Sequence, residues 1–126
     1  MAYNTTDFKG HILIFAKFFD MNIKFCYRYR DYGNNKKYNE VIFKNPTNKS
    51  IRTIRRFITA NLIDKEYFYS NEWKVLDLHF EDWESSLDHF VHEFDSVEET
   101  ESIENMNFDI EEFFLIIKNA RNHWIL

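Results

Sequence analysis

Residues 23–44 read IKFCYRYRDYGNNKKYNEVIFK, and this stretch has the composition of a β-hairpin. The odd-numbered side chains from Ile23 to Tyr29 are large and apolar or aromatic, and they alternate with smaller or charged residues. That period is typical of a strand with one buried face. Gly33 and the two asparagines after it tolerate positive φ and suit a turn. Residues 38–44 return to strand composition, so the sequence predicts an antiparallel hairpin.

Helical spacing occurs on both sides of the hairpin. Apolar residues recur every three or four positions over residues 6–20, which predicts a helix before the hairpin. A second helix is predicted to follow a Ser50 cap and to end near Asp64, and a last helix is predicted to open at Asp109. Together these patterns predict an α+β fold.

Residues 73–94 have two interpretations. Their large apolar side chains step by three and four throughout, which would suit one long helix. Val75 and Leu78 would then face outward. A strand over residues 73–80 followed by a helix from an Asp82 cap to Phe94 avoids that exposure, and it is the preferred interpretation.

The following tract, DSVEETESIENMN over residues 95–107, is acidic and almost free of apolar residues. Such a composition predicts a solvated, mobile loop. The complete prediction is one α+β domain over residues 1–126, with about four helices packed on a small antiparallel sheet that contains the 23–44 hairpin. The 126 residues are 44% apolar and 19% aromatic, which is ample for one core.

No stretch of the sequence has the pattern of a signal peptide or a membrane span. Cys26 is the only cysteine, so an internal disulfide is excluded. These features predict a cytoplasmic protein that does not insert into a membrane.

Charge is divided unevenly along the chain. Residues 1–65 carry 13 Lys and Arg against 5 Asp and Glu, whereas residues 66–126 carry 3 against 16, so the halves of +8 and −13 give the net −5. Residues 75–117 contain 14 acidic residues and no Lys or Arg. An anionic surface of this kind favours a basic partner.

No catalytic or cofactor-binding pattern is present. His89 and His92 lie three apart but do not match the spacing of a zinc protease, so we predict surface histidines and no metal. Cys26 is interpreted as a buried or half-buried thiol. No glycine-rich loop is present to bind phosphate. The sequence therefore favours a protein that is not an enzyme and needs no cofactor.

The acidic half would gain a sharper geometry if residues 81–95 were helical. Glu81, Glu84, Asp88 and Asp95 would then follow one stripe, while the apolar residues took another face. Like charges on one stripe repel each other by a few tenths of a kcal/mol per pair. A basic partner, with Tyr69, Trp73 or Trp83 as an apolar anchor, would relieve this repulsion.

A small, acidic, aromatic-rich chain with carboxylates gathered on one face resembles the immunity proteins of bacterial toxin systems. The resemblance is strongest to those that neutralise nuclease toxins in contact-dependent growth inhibition, and it is one of overall character without a shared motif. It implies a heterodimer with a cognate basic toxin, in which carboxylates take the place of phosphates. The implied contact residues lie in the acidic half: Asp77, Glu81, Asp82, Trp83, Glu84, Asp88, Glu98, Glu99 and Glu101.

Three alternatives stay open. A phage or mobile-element inhibitor that mimics nucleic acid would use the same acidic face. A small nucleic-acid-binding protein would use the basic half, with arginines at 28, 30, 52, 55 and 56, although the net charge of −5 argues against direct binding. Opposite charge on the two halves also permits weak head-to-tail self-association.

Overall fold

A computed structural model of the chain describes residues 21–82 and 90–125, with side chains as far as residue 121. The helix predicted for residues 6–20 lies outside this part of the chain. The described chain is α+β, and its elements in order are β1 (Asn22–Arg30), β2 (Lys36–Phe43), α1 (Ile51–Ala60), β3 (Tyr67–Tyr69), α2 (Ser70–Trp73), β4 (Val91–Thr100) and α3 (Ile110–Ile125).

The four strands form one antiparallel sheet with the order β2-β1-β4-β3. The predicted hairpin is confirmed, because β1 pairs with β2 from Ile23↔Phe43 to Arg30↔Lys36. On its other side β1 pairs with β4. The basic strand β1 therefore lies between its hairpin partner and a strand from the acidic half of the chain.

The core lies on one face of the sheet, called here the inner face. Every second residue of β1 from Ile23 to Tyr29 is fully buried there. Phe25 lies at the centre of this face, with its ring 5.4 Å from that of Phe113 and 6.0 Å from that of Trp73. The intervening residues of β1 point to the opposite, outer face and include Lys24, Cys26, Arg28 and Arg30.

The predicted caps of two helices are confirmed. The Ser50 hydroxyl accepts a hydrogen bond from the Thr53 N–H at 3.1 Å and opens α1. The Asp109 carboxylate accepts one from the Glu112 N–H at 3.0 Å at the start of α3. Each cap satisfies a backbone donor that the first helical turn leaves without a partner.

The prediction of about four helices is wrong. The described residues contain three, and one of them, α2, has only 4 residues. The short helix α2 was not predicted, and the helix expected from Asp82 to Phe94 is contradicted at its end, because residues 91–94 belong to β4. Residues 83–89, like the helix predicted for residues 6–20, lie outside the described part.

The strand predicted for residues 73–80 is also wrong. Trp73 ends α2, Lys74 adopts the left-handed conformation at φ 59°, and residues 75–80 form no regular element. Val75 and Leu78 are nevertheless buried, as the strand prediction intended. Side chains from the sheet satisfy part of the backbone here, so the segment needs no strand partner to be buried.

The loop predicted for residues 95–107 is wrong over its first six residues, which complete β4. A β-bulge opposite Cys26 and Tyr27 shifts the register, so that Phe94 and Val97 both face inward although they are three apart. This bulge hides the two-residue period of a strand. The charged residues of β4 also give it the composition of a loop, because their basic partners on β1 lie far away in the sequence.

Candidate functional site

The predicted contact residues do not form one patch. Glu81 and Asp82 follow Phe80, whose ring lies 4.8 Å from Lys37 Nζ of β2. Asp77 lies near the start of β4, because it contacts His92 and the adjacent Leu78 N–H donates to the His92 ring. Glu98 lies six residues further along β4, about 20 Å away at the rise of an extended strand. Glu99 and Glu101 follow at the same end. Trp83, Glu84 and Asp88 lie outside the described residues.

The acids on the outer face of β4 are paired with the cations of β1. Glu93 is 8% exposed and accepts hydrogen bonds from Arg28 Nε at 2.7 Å and from Arg30 Nε at 2.9 Å and Nη2 at 3.1 Å. Arg28 Nη1 also bonds to Asp95 at 3.1 Å. Lys24 Nζ lies 3.9 Å from Glu98. Most of the charge on this strand is therefore offset within the fold.

The protonation equilibria in this cluster reflect the pairing. Hydrogen bonds from Arg30 and then Arg28 lower the pKa of Glu93, against the opposing effect of desolvation. The same bonds raise the pKa of both guanidinium groups. Glu93, Arg28 and Arg30 thus form a structural ion cluster, and none of the three is expected to exchange a proton near neutral pH.

Residues 75–82 present carboxylates of a different kind. Glu81 and Asp82 are exposed, and the Asp77 side chain is 54% exposed. Among the described residues, none of these three carboxylates lies within ion-pair distance of a Lys or Arg; Asp77 contacts His79 Nδ1 at 2.8 Å and His92 Nε2 at 3.6 Å. Their negative charge is therefore directed to solvent.

Hydrogen bonds from the sheet fix this acidic segment in place. The Tyr27 hydroxyl donates to the Leu76 carbonyl at 2.7 Å, and the Leu78 N–H donates to Nε2 of the buried His92 at 3.0 Å. Because this nitrogen accepts, His92 carries its proton on Nδ1, which faces the Phe90 carbonyl at 3.4 Å. The prediction that His92 lies on the surface is wrong.

The hairpin holds the far end of the same segment. Lys37 Nζ donates to the His79 carbonyl at 3.3 Å and lies 4.8 Å from the centre of the Phe80 ring. The Asp77 carboxylate accepts the His79 N–H at 2.9 Å, which closes a local turn. The acidic segment is therefore a shaped surface held by long-range bonds.

A groove of about 500 Å³ lies beside the segment. Glu72 and Asp77 contribute carboxylates to its wall, while Tyr69 and Phe90 contribute aromatic surface. Phe90 is 58% exposed, and Leu76 at the edge of the segment is 65% exposed. The remaining lining residues are Ser70, Asn71 and His79. We use the name acidic groove for this depression together with the exposed acids Glu81 and Asp82, which end the same segment but do not line the depression.

The chemistry of the acidic groove suits a cationic side chain. A lysine or arginine could place its charge near the carboxylates and its methylene groups against the aromatic rings. Within the described residues, no group of three or more His, Cys, Asp and Glu side chains is arranged to hold a metal.

Other predicted residues have different environments. Trp73 is 3% exposed and packs on Phe68 at 4.6 Å between ring centres, so it cannot be a surface anchor. Cys26 is half-buried on the outer face, and desolvation raises the pKa of its thiol, which disfavours the reactive thiolate.

Sequence reasoning missed several residues of the acidic groove. Glu72, His79 and Phe90 were not singled out, and Tyr69 was considered only as an anchor. The sequence gives no signal for them, because Leu76 and Phe90 fit the three-and-four spacing of residues 73–94 that suggests buried helix positions. Only the fold brings residues 69–72 beside residues 77–79.

A second charged surface lies on α1. Arg52, Arg55 and Arg56 are exposed and line a shallow depression with Lys65. Arg55 Nη2 donates to the Val97 carbonyl at 3.2 Å. In the described part of the chain, no carboxylate lies within ion-pair distance of these four cations.

Comparison of the chain with protein-family models, with curated proteins and with solved structures gave no match. Among the helices in the described ranges, none is both long and apolar enough to cross a membrane. The physical properties of the two surfaces are thus the basis for a functional proposal.

Proposed function

We propose that this protein is a stoichiometric inhibitor that binds a basic protein through the acidic groove, as an immunity protein binds a nuclease toxin. The observation that carries the proposal is the contrast within the acidic half. The fold neutralises the carboxylates around Glu93 with arginines, but it presents Asp77, Glu81 and Asp82 without a Lys or Arg partner among the described residues.

The groove would act in two stages. Its negative field would steer a basic partner during the encounter, which raises the association rate at low salt. Leu76 and Phe90 would then be covered by apolar groups of the partner, which lowers the dissociation rate. On this proposal the carboxylates occupy the positions that substrate phosphates would take on the toxin.

The way the groove is held supports such a role. The hydrogen bond from the Tyr27 hydroxyl to the Leu76 carbonyl and the one from the Leu78 N–H to His92 fix the backbone before binding. A binding surface that is already ordered loses less conformational entropy when the complex forms. The proposed activity is therefore binding, without a catalytic step and without a cofactor.

The test uses the C-terminal segment of the protein encoded by the adjacent reading frame as the probe. Its binding to wild type and to the double variant Glu81→Lys, Asp82→Lys is measured by calorimetry at low and at moderate salt. We expect the double variant to bind at least about tenfold more weakly, with most of the loss at low salt.

The matched control is Glu98→Lys, which changes the same type of charge on β4, where Lys24 lies 3.9 Å away. It should leave the affinity for the probe within about twofold, because Glu98 lies about 20 Å along β4 from the end that borders the groove. Equal affinity of wild type and the groove variant for the probe would refute the proposal, as would the absence of any binding by wild type.

A second candidate function is direct binding of nucleic acid by α1. Arg52, Arg55 and Arg56, which have no carboxylate partner among the described residues, favour it because phosphate contacts by arginine dominate non-specific affinity. The discriminating experiment is titration of labelled duplex DNA and single-stranded RNA against wild type and Arg52→Glu, Arg56→Glu. Binding that falls steeply with salt and is lost in this variant would favour the second function over the inhibitor.

A further inference from the structure

The outer edge of β2 carries a row of backbone groups that no described residue pairs. β2 is the first strand in the order β2-β1-β4-β3, so one of its sides faces away from the sheet. Near its end this side is covered, because Asn105 Oδ1 accepts the Ile42 N–H at 2.7 Å and the Asn105 N–H donates to the Ile42 carbonyl at 3.1 Å.

These bonds define which residues of β2 direct their backbone outward. In an antiparallel strand the N–H and C=O of one residue point to the same side, and alternate residues point to opposite sides. Since both groups of Ile42 point away from β1, those of Glu40, Tyr38 and Lys36 do so too. The three side chains are exposed, and Tyr38 is 65% exposed.

The charges along this edge are complementary to those of a second copy that runs antiparallel to it. If a second copy pairs antiparallel about Tyr38, then Lys36 faces Glu40 of the other copy and Glu40 faces its Lys36. Directly opposite residues bring their Cβ atoms to about 4.5–5.5 Å, where opposite charges attract and aromatic side chains pack. Tyr38 faces its own copy at the two-fold axis.

We propose that β2 pairs with β2 of a second copy of this chain, which joins the two sheets into one continuous antiparallel sheet. The contact is symmetric, so it closes as a dimer and does not continue into a filament. Each of Lys36, Tyr38 and Glu40 exchanges both of its backbone hydrogen bonds with the opposite strand.

Lysines on an edge strand commonly oppose pairing between sheets. Here the pairing places Lys36 against Glu40 of the other copy. The lysine therefore favours this register, whereas it would disfavour registers in which it met another lysine. Lys37 does not interfere, because its ammonium group bonds to the His79 carbonyl. The inference does not depend on the proposed inhibitor.

The test measures molecular mass in solution by sedimentation over a range of protein concentrations. Wild type should shift toward a dimer as the concentration rises to hundreds of micromolar. Glu40→Lys places Lys against Lys, and Lys36→Glu places Glu against Glu, so each variant should dimerise about tenfold more weakly. Glu112→Lys and Lys118→Glu are the matched controls and should behave as wild type.

Two combinations test the register itself. The double variant Lys36→Glu, Glu40→Lys restores opposite charges and should dimerise as wild type does. An equimolar mixture of the two single variants should form a heterodimer, because the carboxylate introduced at position 36 of one copy then faces the ammonium group introduced at position 40 of the other. Circular dichroism of every variant checks that the fold is intact.

A wild type that stays monomeric throughout the concentration range would overturn the proposal. The proposal would also be overturned if wild type formed a dimer but neither the double variant nor the mixture of single variants did. That result would indicate another mode of association, such as head-to-tail contact between the two charged halves.

Discussion

Strand β4 and the segment 75–82 are both acidic, but the fold uses their carboxylates in opposite ways. On β4, Glu93 is nearly enclosed and receives hydrogen bonds from Arg28 and Arg30. On the segment, Glu81 and Asp82 face solvent, and no Lys or Arg of the described chain lies within ion-pair distance of them. One set of acids contributes to folding, whereas the other has no Lys or Arg partner within the described chain.

The difference shows that charge counted along a sequence is not charge presented at a surface. The basic half and the acidic half meet where β1 pairs with β4, so much of the segregation visible in the sequence is cancelled within the sheet. The carboxylates of residues 75–82 are not neutralised in this way, because the segment follows α2 and belongs to no strand of the sheet. It packs on the core through apolar side chains such as Val75 and Leu78. Four predictions test the contrast, from the largest expected effect to the smallest.

Removing the carboxylate of Glu93 should have the largest effect on stability. Glu93→Ala leaves Arg28 and Arg30 partly buried without their partner, and we expect the free energy of unfolding to fall by about 2 kcal/mol. Urea denaturation measures the change. A loss below about 0.5 kcal/mol would mean that the cluster is no more than an ordinary surface ion pair.

Acid should act on the same carboxylate. Because hydrogen bonds from Arg30 and Arg28 lower the folded-state pKa of Glu93, its contribution is complete above the unfolded pKa of about 4.3 and is lost as the pH falls through the folded value. Stability measured from pH 7 down to pH 3 should therefore fall more steeply for wild type than for Glu93→Gln. Parallel curves for the two proteins would contradict this assignment.

The hydroxyl of Tyr27 should matter to the acidic segment more than to the core. Tyr27→Phe keeps the ring but removes the bond to the Leu76 carbonyl and the one accepted from Asn39 Nδ2 at 3.0 Å. We expect a loss of about 1 kcal/mol. Amide exchange should accelerate locally at residues 76–79, and a uniform acceleration over the whole sheet would instead indicate global destabilisation.

Reversing charge on the exposed segment should have the smallest effect on folding. The double variant Glu81→Lys, Asp82→Lys should change the free energy of unfolding by less than about 0.5 kcal/mol, since these side chains have no structural ion pair in the described residues. Urea denaturation of this variant and of Glu93→Ala under the same conditions compares the two losses of stability directly. A loss as large as that of Glu93→Ala would show that the segment's acids are structural as well.

The elements predicted correctly from sequence are those with strong local signals. The alternation from Ile23 to Tyr29 and the turn residues after it specify the hairpin. Ser50 and Asp109 specify the starts of two helices through side-chain caps. Each of these signals depends on residues that are close along the chain, so no knowledge of the tertiary structure was needed.

Strand β4 could not be recognised in the same way. Its bulge interrupts the alternation of inward residues, and its charged positions are satisfied only by β1, more than sixty residues earlier. The short helix α2 was equally hidden, because no side-chain cap marks its start. Residues 75–80 have no strand pattern to recognise, because their backbone bonds to the side chains of Tyr27 and His92 and not to a neighbouring strand.

The site was predictable in character and not in shape. The concentration of acids after residue 75 indicated an anionic surface, and Asp77, Glu81 and Asp82 do present one. That Glu98 would face Lys24 at the far end of the sheet, and that Glu72 and Phe90 would line the groove, depend on the packing of separate segments.

By itself the sequence determined the local elements and the total charge of each half, because periodicity, capping and composition act over a few residues. Only the tertiary structure decided which carboxylates are neutralised and which face outward. The reason is that an ion pair or a groove depends on distances between residues far apart in the chain, and strand pairing sets those distances.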